Sequence, residues 1–271
     1  MQDTINTIFG SFSLESKKRL DLTFDYETCA IRSFREVAAF LEATQVVDIG
    51  ANIGVYSIYA SSLPNLRQIH AFEPAPEAFK LLKKNIALQT TASKIRAYDL
   101  ALSSQAGQVQ FNLVSPLSGA NGIVTAAAKS GEVIRIQAKR LDDVLSFSRE
   151  KVCVKIDVEG HEFAVLSGAI AFLQSNQCYV QVESLRPSTV ADVQRLMKEI
   201  GYSHIFSLQN DHLFVHSTLQ ADIKSLLDII AKHLAQDLHD LTELRLEKRR
   251  LAAEAKKLWQ TAGYRRDPLL S

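Results

Sequence analysis

The sequence predicts an α/β fold: a parallel sheet with helices on both faces, closed by an antiparallel hairpin and followed by a long C-terminal helix. Three observations lead there. From residue 33 onward, apolar strand-like runs alternate with helical patterns, as in consecutive βαβ units. The run Val46-Val47-Asp48-Ile49-Gly50-Ala51-Asn52-Ile53-Gly54 joins a buried strand end to a helix through a tight turn that its glycines permit. Residues 219–259 contain neither glycine nor proline and carry a heptad-like apolar seam.

Residues 1–32 have no clear period. There Phe24, Tyr26 and Glu27 read either as a flap over a ligand site or as part of a plain helix or strand. Strands are expected near 45–49, 67–72, 94–99, 152–157 and 178–183, and helices near 33–43, 53–62, 76–88, 161–173 and 187–200. Right-handed crossovers then gather the strand C-termini at one edge, where ligands bind. Between 105 and 140 the pattern changes. Gln108–Leu113 and Val133–Gln137 alternate like extra strands, joined by a loop from about Ser115 to Glu132. That loop reads equally as a functional lid or as a surface excursion. Tyr202–Leu208 and His212–His216 flank Asn210-Asp211, a hairpin that closes the sheet.

The ligand of the first turn can be narrowed. Gly50, Asn52 and Gly54 do not make the three-glycine dinucleotide fingerprint, and no P-loop is present. An acid before the glycines, Asp48, suits a cationic ligand end better than a pyrophosphate. The second strand ends in Ala71-Phe72-Glu73-Pro74, with Glu73 where a ribose diol is usually held. An acid toward an amino group and an acid toward a ribose describe S-adenosylmethionine. The competing reading is an ordinary glycine-containing strand-to-helix turn.

On those residues the chain resembles the class I S-adenosylmethionine-dependent methyltransferases, and more narrowly the FkbM family. The resemblance runs from about Phe34 to Ser184. It rests on Val47–Gly54, Ala71–Pro74, Leu100-Ala101-Leu102-Ser103 with Gly107, and Lys155-Ile156-Asp157-Val158-Glu159-Gly160-His161-Glu162. It implies a Rossmann-like methyltransferase sheet, S-adenosylmethionine as cofactor and an O-methyltransferase activity. It implies as acceptors the sugars of bacterial surface glycans, lipopolysaccharides or glycosylated metabolites. A non-sugar hydroxyl of a lipid, macrolide or peptide metabolite is the alternative acceptor. A non-catalytic scaffold with a degenerate methyltransferase domain is a further reading, against which the intact Asp48, Gly50, Glu73 and Asp157 count. The expected cofactor-binding residues are Asp48, Gly50, Ala51, Asn52, Gly54, Glu73, Pro74, Asp99 and Leu100. At the position of Asp99 the family often has an amide or another small residue.

Methyl transfer to a neutral hydroxyl gains from a base within hydrogen-bond reach. Asp157, Glu159, His161 and Glu183, at the ends of two later strands, are the expected catalytic residues. A helix N-terminus disfavours protonated His161, which reads either as a base or as an ordinary helix-start residue. Glu162 reads first as a helix-start acid. Asp157, Glu159 and Glu183 could also hold magnesium, though no rigid ligand spacing favours a metal.

Length, 271 residues, allows one substantial core plus an appendage, and a net charge of +1 argues against a dedicated nucleic-acid binder. Cys29, Cys153 and Cys178 read as buried free thiols in a reducing cytoplasm. No signal peptide and no membrane-spanning run is expected. The chain divides into a methyltransferase domain, 1–217, a coiled-coil helix, 218–260, and a short tail, 261–271. The coiled-coil seam comprises Ile223, Leu227, Ile230, Leu234, Leu241, Leu244, Leu251, Ala255 and Leu258, broken by Asp237 and Lys248. It predicts a homo-oligomer; an amphipathic helix packed on its own domain is the competing reading. The basic end, Arg245 to Arg266, reads as a solvated face or as a contact to anionic headgroups or a partner.

Overall fold

A computed structural model describes residues 4–115, 117–118, 120–124, 131–219 and 222–261. The chain opens with a hairpin, β1 (Thr4–Thr7) and β2 (Gly10–Ser13), then α1 (Lys17–Tyr26) and α2 (Thr28–Phe40). The first βα units follow: β3 (Gln45–Ile49), α3 (Val55–Ala60), β4 (Gln68–Phe72), α4 (Pro76–Ala87) and β5 (Ile95–Tyr98). A small four-stranded sheet interrupts them, built of β6 (Ala101–Leu102), β7 (Gly107–Leu113), β8 (Gly122–Ile123) and β9 (Glu132–Lys139). After it come α5 (Leu141–Val144), β10 (Lys151–Ile156), α6 (Glu162–Ser167), α7 (Ile170–Ser175), β11 (Gln177–Glu183) and α8 (Pro187–Glu199). The chain closes with β12 (Tyr202–Leu208), β13 (Asp211–His216) and α9 (Ile223–Thr261).

The main sheet has the order β12-β13-β11-β10-β3-β4-β5. The five strands from β11 to β5 run parallel, and β13 lies antiparallel to both β11 and β12. All of β3 is buried, because helices cover both faces of a parallel sheet. Its side chains alternate between two cores: Val46 packs with Phe34, Leu82 and Tyr179, whereas Val47 and Ile49 pack with Phe72, Val154 and Leu166.

The strands and the closing hairpin lie where the sequence predicts them. Three elements differ. Residues 4–32, within the stretch unassigned from sequence, form β1, β2, α1 and the first turn of α2. The single helix expected at 161–173 is two, α6 and α7, because the chain bends at Gly168. A Cβ there would stand 2.0 Å from the Ser103 carbonyl oxygen, so that close approach needs glycine.

The third difference is in α9. The continuous helix is present, but its first turns complete the domain's own core against α2. Leu226 and Ile230 are 0% and 1% exposed, whereas Ile223, the start of the predicted seam, is 45% exposed. Asp237 accepts an ion pair from Arg32 of α2 at 3.4 Å, and Lys232 pairs with Glu36 at 2.8 Å. The side chains of Leu241, Leu244, Lys248, Leu251, Ala255 and Leu258 lie outside the described residues, as does the tail from residue 262.

Candidate active site

The ends of β3, β4 and β10 are stitched together beyond the strands proper. Gly50 N–H and Ala51 N–H both donate to the Phe72 carbonyl, and Asp157 N–H donates to the Ile49 carbonyl. Gly50 has φ +83°, and an added Cβ would lie 1.8 Å from the Asp157 carbonyl oxygen. Only glycine lets the two turns meet this closely.

Above this junction opens a cleft of about 640 Å³, counting its mouth. Gly50, Asn52, Phe72, Glu73, Pro74, Ala78 and Leu100 line one part of it. Asp157, Glu159 and His161 line another, and Phe111, Ser118, Asn121 and Ile123 form a wall from the small sheet and its loop. Two smaller clefts adjoin it. One, about 350 Å³, lies under α1 and is lined by Arg19, Glu27, Asp48, Ala51, Tyr56 and Lys155, among others. The other, about 380 Å³, lies between the turns after β10 and β11. Asp157 lines all three.

Glu73 is 6% exposed. Its Oε2 accepts the Asn52 N–H at 2.8 Å and its Oε1 accepts the Ala75 N–H at 2.8 Å. Those bonds aim the carboxylate and leave lone pairs for a diol. Burial outweighs them and pushes its pKa up to about 7. Asn52 Oδ1 is buried without a partner. An aimed acid, an orphaned amide oxygen, close backbone and the flat apolar walls of Phe72 and Leu100 fit an adenosyl group. These residues would hold S-adenosylmethionine.

Asp48 is placed differently from its neighbours. Its Oδ2 accepts both the Ser57 N–H, at 3.1 Å, and the Ser57 hydroxyl, at 2.6 Å, pinning the start of α3. It lines the smaller cleft under α1 rather than the large one, and burial raises its pKa to about 6. Gly54, φ +92°, precedes α3 and packs toward Leu82 instead of lining a cleft. Asp99 is exposed and lines none of the three clefts.

On the opposite side, Glu159 and Gly160 both have positive φ, +55° and +98°, and together they turn the chain from β10 into α6. Burial, with Glu183 and Glu162 nearby, raises the Glu159 pKa to about 7. Burial likewise holds Asp157 well above the usual carboxylate range, despite the cation of Lys155. His161 Nε2 lies 2.9 Å from Ser103 Oγ. Burial lowers its pKa and favours the neutral imidazole. Glu183 lines the cleft beside Arg186, not the large one. Among the described residues, no three His, Cys, Asp or Glu gather in a metal-holding group.

Sequence reasoning gave no role to three residues, although Ser103 and Lys155 stand in the motifs that carry the resemblance. Arg19, from α1, lines both the large cleft and the one under α1, and pairs with Glu27 at 3.0 Å. Ser103 anchors His161. Lys155 is 2% exposed and pairs with Asp211 at 2.8 Å and Glu183 at 3.6 Å. Burial works against its charge, but Asp211, Tyr56, Asp157 and Glu183 hold its pKa well above the usual lysine range. The signal was a lysine inside the apolar strand Val152-Cys153-Val154-Lys155-Ile156, which must be paired to be buried. Glu27 of the predicted flap lines the cleft under α1, whereas the side chains of Phe24 and Tyr26 lie outside the described residues.

Residues 48–204 match the model of the methyltransferase FkbM domain. The chain is 27% identical over 215 residues to methyltransferase sdnD of Sordaria araneosa, covering 68% of this chain and 83% of that one. It is 33% identical over 177 residues to the hexuronic acid methyltransferase AglP of Haloferax volcanii, covering 65% and 70%. Identity to the 31-O-demethyl-FK506 methyltransferase FkbM of Streptomyces tacrolimicus is 29% over 154 residues, covering 45% and 58%. A crystal structure of methyltransferase FkbM from Methylobacillus flagellatus aligns with a TM-score of 0.48 at 16% identity, over 65% of this chain and 44% of that one. The domain match spans more than half the chain and contains both turns that meet at Gly50, so the protein belongs to the FkbM family of S-adenosylmethionine-dependent methyltransferases.

Proposed function

We propose that this protein is an O-methyltransferase that moves the methyl group of S-adenosylmethionine to a hydroxyl of a glycosyl unit, in a surface glycan or a glycosylated metabolite. One observation carries the reading: the aimed acid Glu73 and the group Asp157, Glu159 and His161 line one cleft. A hexuronic acid methyltransferase among the relatives supports a sugar acceptor. The relative that acts on demethyl-FK506 supports the alternative, a macrolide or other non-sugar hydroxyl.

S-adenosylmethionine, when bound, supplies an electrophilic methyl group on sulfur. Glu73 accepts the diol hydroxyls and fixes the reach of the cofactor into the cleft. His161 would take the acceptor hydroxyl's proton during the displacement, in which the sulfur would keep the electron pair of the broken methyl–sulfur bond and leave as a thioether. In the tautomer that donates Nε2–H to Ser103, its Nδ1 is the accepting nitrogen.

Calorimetry with S-adenosylhomocysteine against NADH tests the cofactor, and binding of NADH alone would overturn the reading. His161→Ala is expected to lower single-turnover methyl transfer by about 100- to 10,000-fold with S-adenosylhomocysteine affinity unchanged. Full turnover in that variant means another group takes the proton. Loss of turnover in chelator, restored by magnesium, would replace the histidine reading with a metal one.

We propose further that the C-terminal part of α9 associates between copies of this chain. Leu241, Leu244, Leu251, Ala255 and Leu258 carry the seam past the portion docked on α2.

A further inference from the structure

The cradle around Glu73 accounts for the adenosyl end of S-adenosylmethionine and leaves its amino-acid end without partners. The large cleft and the cleft under α1 share Arg19, Gly50, Asn52 and Asp157. A ligand seated beside Glu73 can therefore pass over the Gly50 turn into the second cleft, of about 350 Å³. The end that enters there carries an ammonium and a carboxylate on the same carbon.

Among the described residues, the charged side chains lining the second cleft are Arg19, Glu27, Asp48, Lys155 and Asp157. Most of them are committed elsewhere. Lys155 pairs with Asp211 at 2.8 Å and with Glu183 at 3.6 Å. Asp48 Oδ2 accepts both bonds from Ser57, and burial favours the neutral form of Asp157. Arg19 of α1 and Glu27, which follows that helix, pair with each other through Nη2 and Oε1 at 3.0 Å. A guanidinium carries five N–H donors in a fork that matches a carboxylate, and a carboxylate accepts on two oxygens, so this pair keeps capacity on both sides. Burial raises the Glu27 pKa, while Arg19 and Lys155 pull it down; an ammonium docked beside it pulls the same way. The Arg19 charge also acts on Glu73 and Glu159, which line the large cleft, so it stands over the passage between the two. Both residues precede the segment 48–204 that matches the family domain, and the match gives them no role.

We propose that Arg19 and Glu27 hold the amino-acid end of S-adenosylmethionine, Arg19 donating to its carboxylate and Glu27 accepting from its ammonium. The proposal rests on the methyltransferase reading. It gives Glu27 the task that the sequence suggests for Asp48, whose Oδ2 pins α3 instead. It also makes α1, outside the matched domain, a part of the cofactor site.

Calorimetry on the full chain tests it with S-adenosylhomocysteine, its analogue lacking the carboxylate, its analogue lacking the amino group, and methylthioadenosine, which lacks the whole amino-acid end. The wild-type chain is expected to bind the first two analogues about tenfold more weakly than S-adenosylhomocysteine, or worse. In Arg19→Gln the carboxylate should cease to count, so that S-adenosylhomocysteine and its decarboxylated analogue bind within about twofold of each other. Glu27→Gln should do the same for the amino group. Methylthioadenosine should bind the wild type and both variants alike. A purely structural pair would weaken all four ligands together when either residue is changed. That result, an unchanged preference in either variant, or equal binding of the analogues by the wild-type chain overturns the proposal; the wild-type comparison needs no variant to fold. Failure of methylthioadenosine and S-adenosylhomocysteine alike to bind the wild type is a separate result, and it strikes the methyltransferase reading instead.

Discussion

At the scale of single residues, Glu73 combines two tasks that pull against each other. It accepts from the backbone turn and, in the proposed reading, from a diol, yet burial holds its pKa at about 7 against an ordinary 4.5. A raised acid keeps its proton in the folded state after the unfolded chain has lost it. Stability therefore falls as pH rises from about 4.5 through about 7, by about 3 kcal/mol from this group. Urea titrations at pH 5 and pH 8 without cofactor should show that loss, and it should shrink in Glu73→Gln. A diol donates more strongly to a carboxylate than to the neutral acid, so S-adenosylhomocysteine affinity is expected to rise with pH up to about 7 and then level. Calorimetry across pH 6–8.5 that finds a flat profile would take Glu73 out of the ribose contact. Glu73→Ala should weaken that ligand by about 1.5–3 kcal/mol and also destabilise the fold, because the N–H groups of Asn52 and Ala75 lose their acceptor. Gly50→Ala should be worse tolerated, at about 2–4 kcal/mol of unfolding free energy, because a strained φ adds to a backbone clash. Glu73 and Gly50 were legible in sequence because strand-end motifs fix backbone positions. Asp48 was legible as an important acid, but its bond to Ser57 was not, because nothing in the spacing separates a helix-pinning acid from a ligand-facing one.

At the scale of elements, the parallel strands were readable because each is an apolar run bounded by turn residues. The break between α6 and α7 was not, since Gly168 answers to Ser103, 65 positions away in sequence. Nor was the docking of α9. Its apolar residues serve two partners in succession, and a heptad count cannot say which residues face the helix's own domain. Leu226 shows the distinction, being fully buried on α2 although it stands outside the predicted seam. Leu226→Ala is expected to cost about 2–5 kcal/mol in chemical denaturation. A chain ending at residue 240 keeps Leu226, Ile230 and the Arg32–Asp237 pair, so it should retain fold and cofactor affinity. Sedimentation should find it with fewer subunits than the full chain. An unchanged subunit count would remove α9 from assembly.

At the scale of the whole molecule, one buried cluster ties distant parts of the chain together. Lys155 on β10 meets Asp211 on β13, and Gln181 of β11 donates to the same Asp211 oxygen at 3.0 Å. Lys155→Met would leave Asp211 buried without its cation and half-buried Glu183 beside an apolar chain, at a cost of about 3–5 kcal/mol. The double variant with Asp211→Asn should recover part of that, which a double-mutant cycle measures. The order of these residues along the chain has a consequence for biosynthesis. Synthesis proceeds from the N-terminus, and most of the sheet, with Lys155 inside it, emerges before the strand that neutralises it. The α2 face made early waits for Leu226 and Ile230, about 190 residues later. Vectorial folding of the sheet alone therefore leaves an uncompensated ammonium and a bare apolar flank. Ribosome-stalled nascent chains with residue 205 just outside the exit tunnel should be cut readily by protease, while chains carrying a C-terminal linker long enough to bring residue 240 outside it should resist. The same dependence makes the C-terminal segment a checkpoint: a polypeptide truncated before it carries both strand-end motifs yet is expected to be degraded faster than the full chain, which a pulse-chase comparison of the two measures.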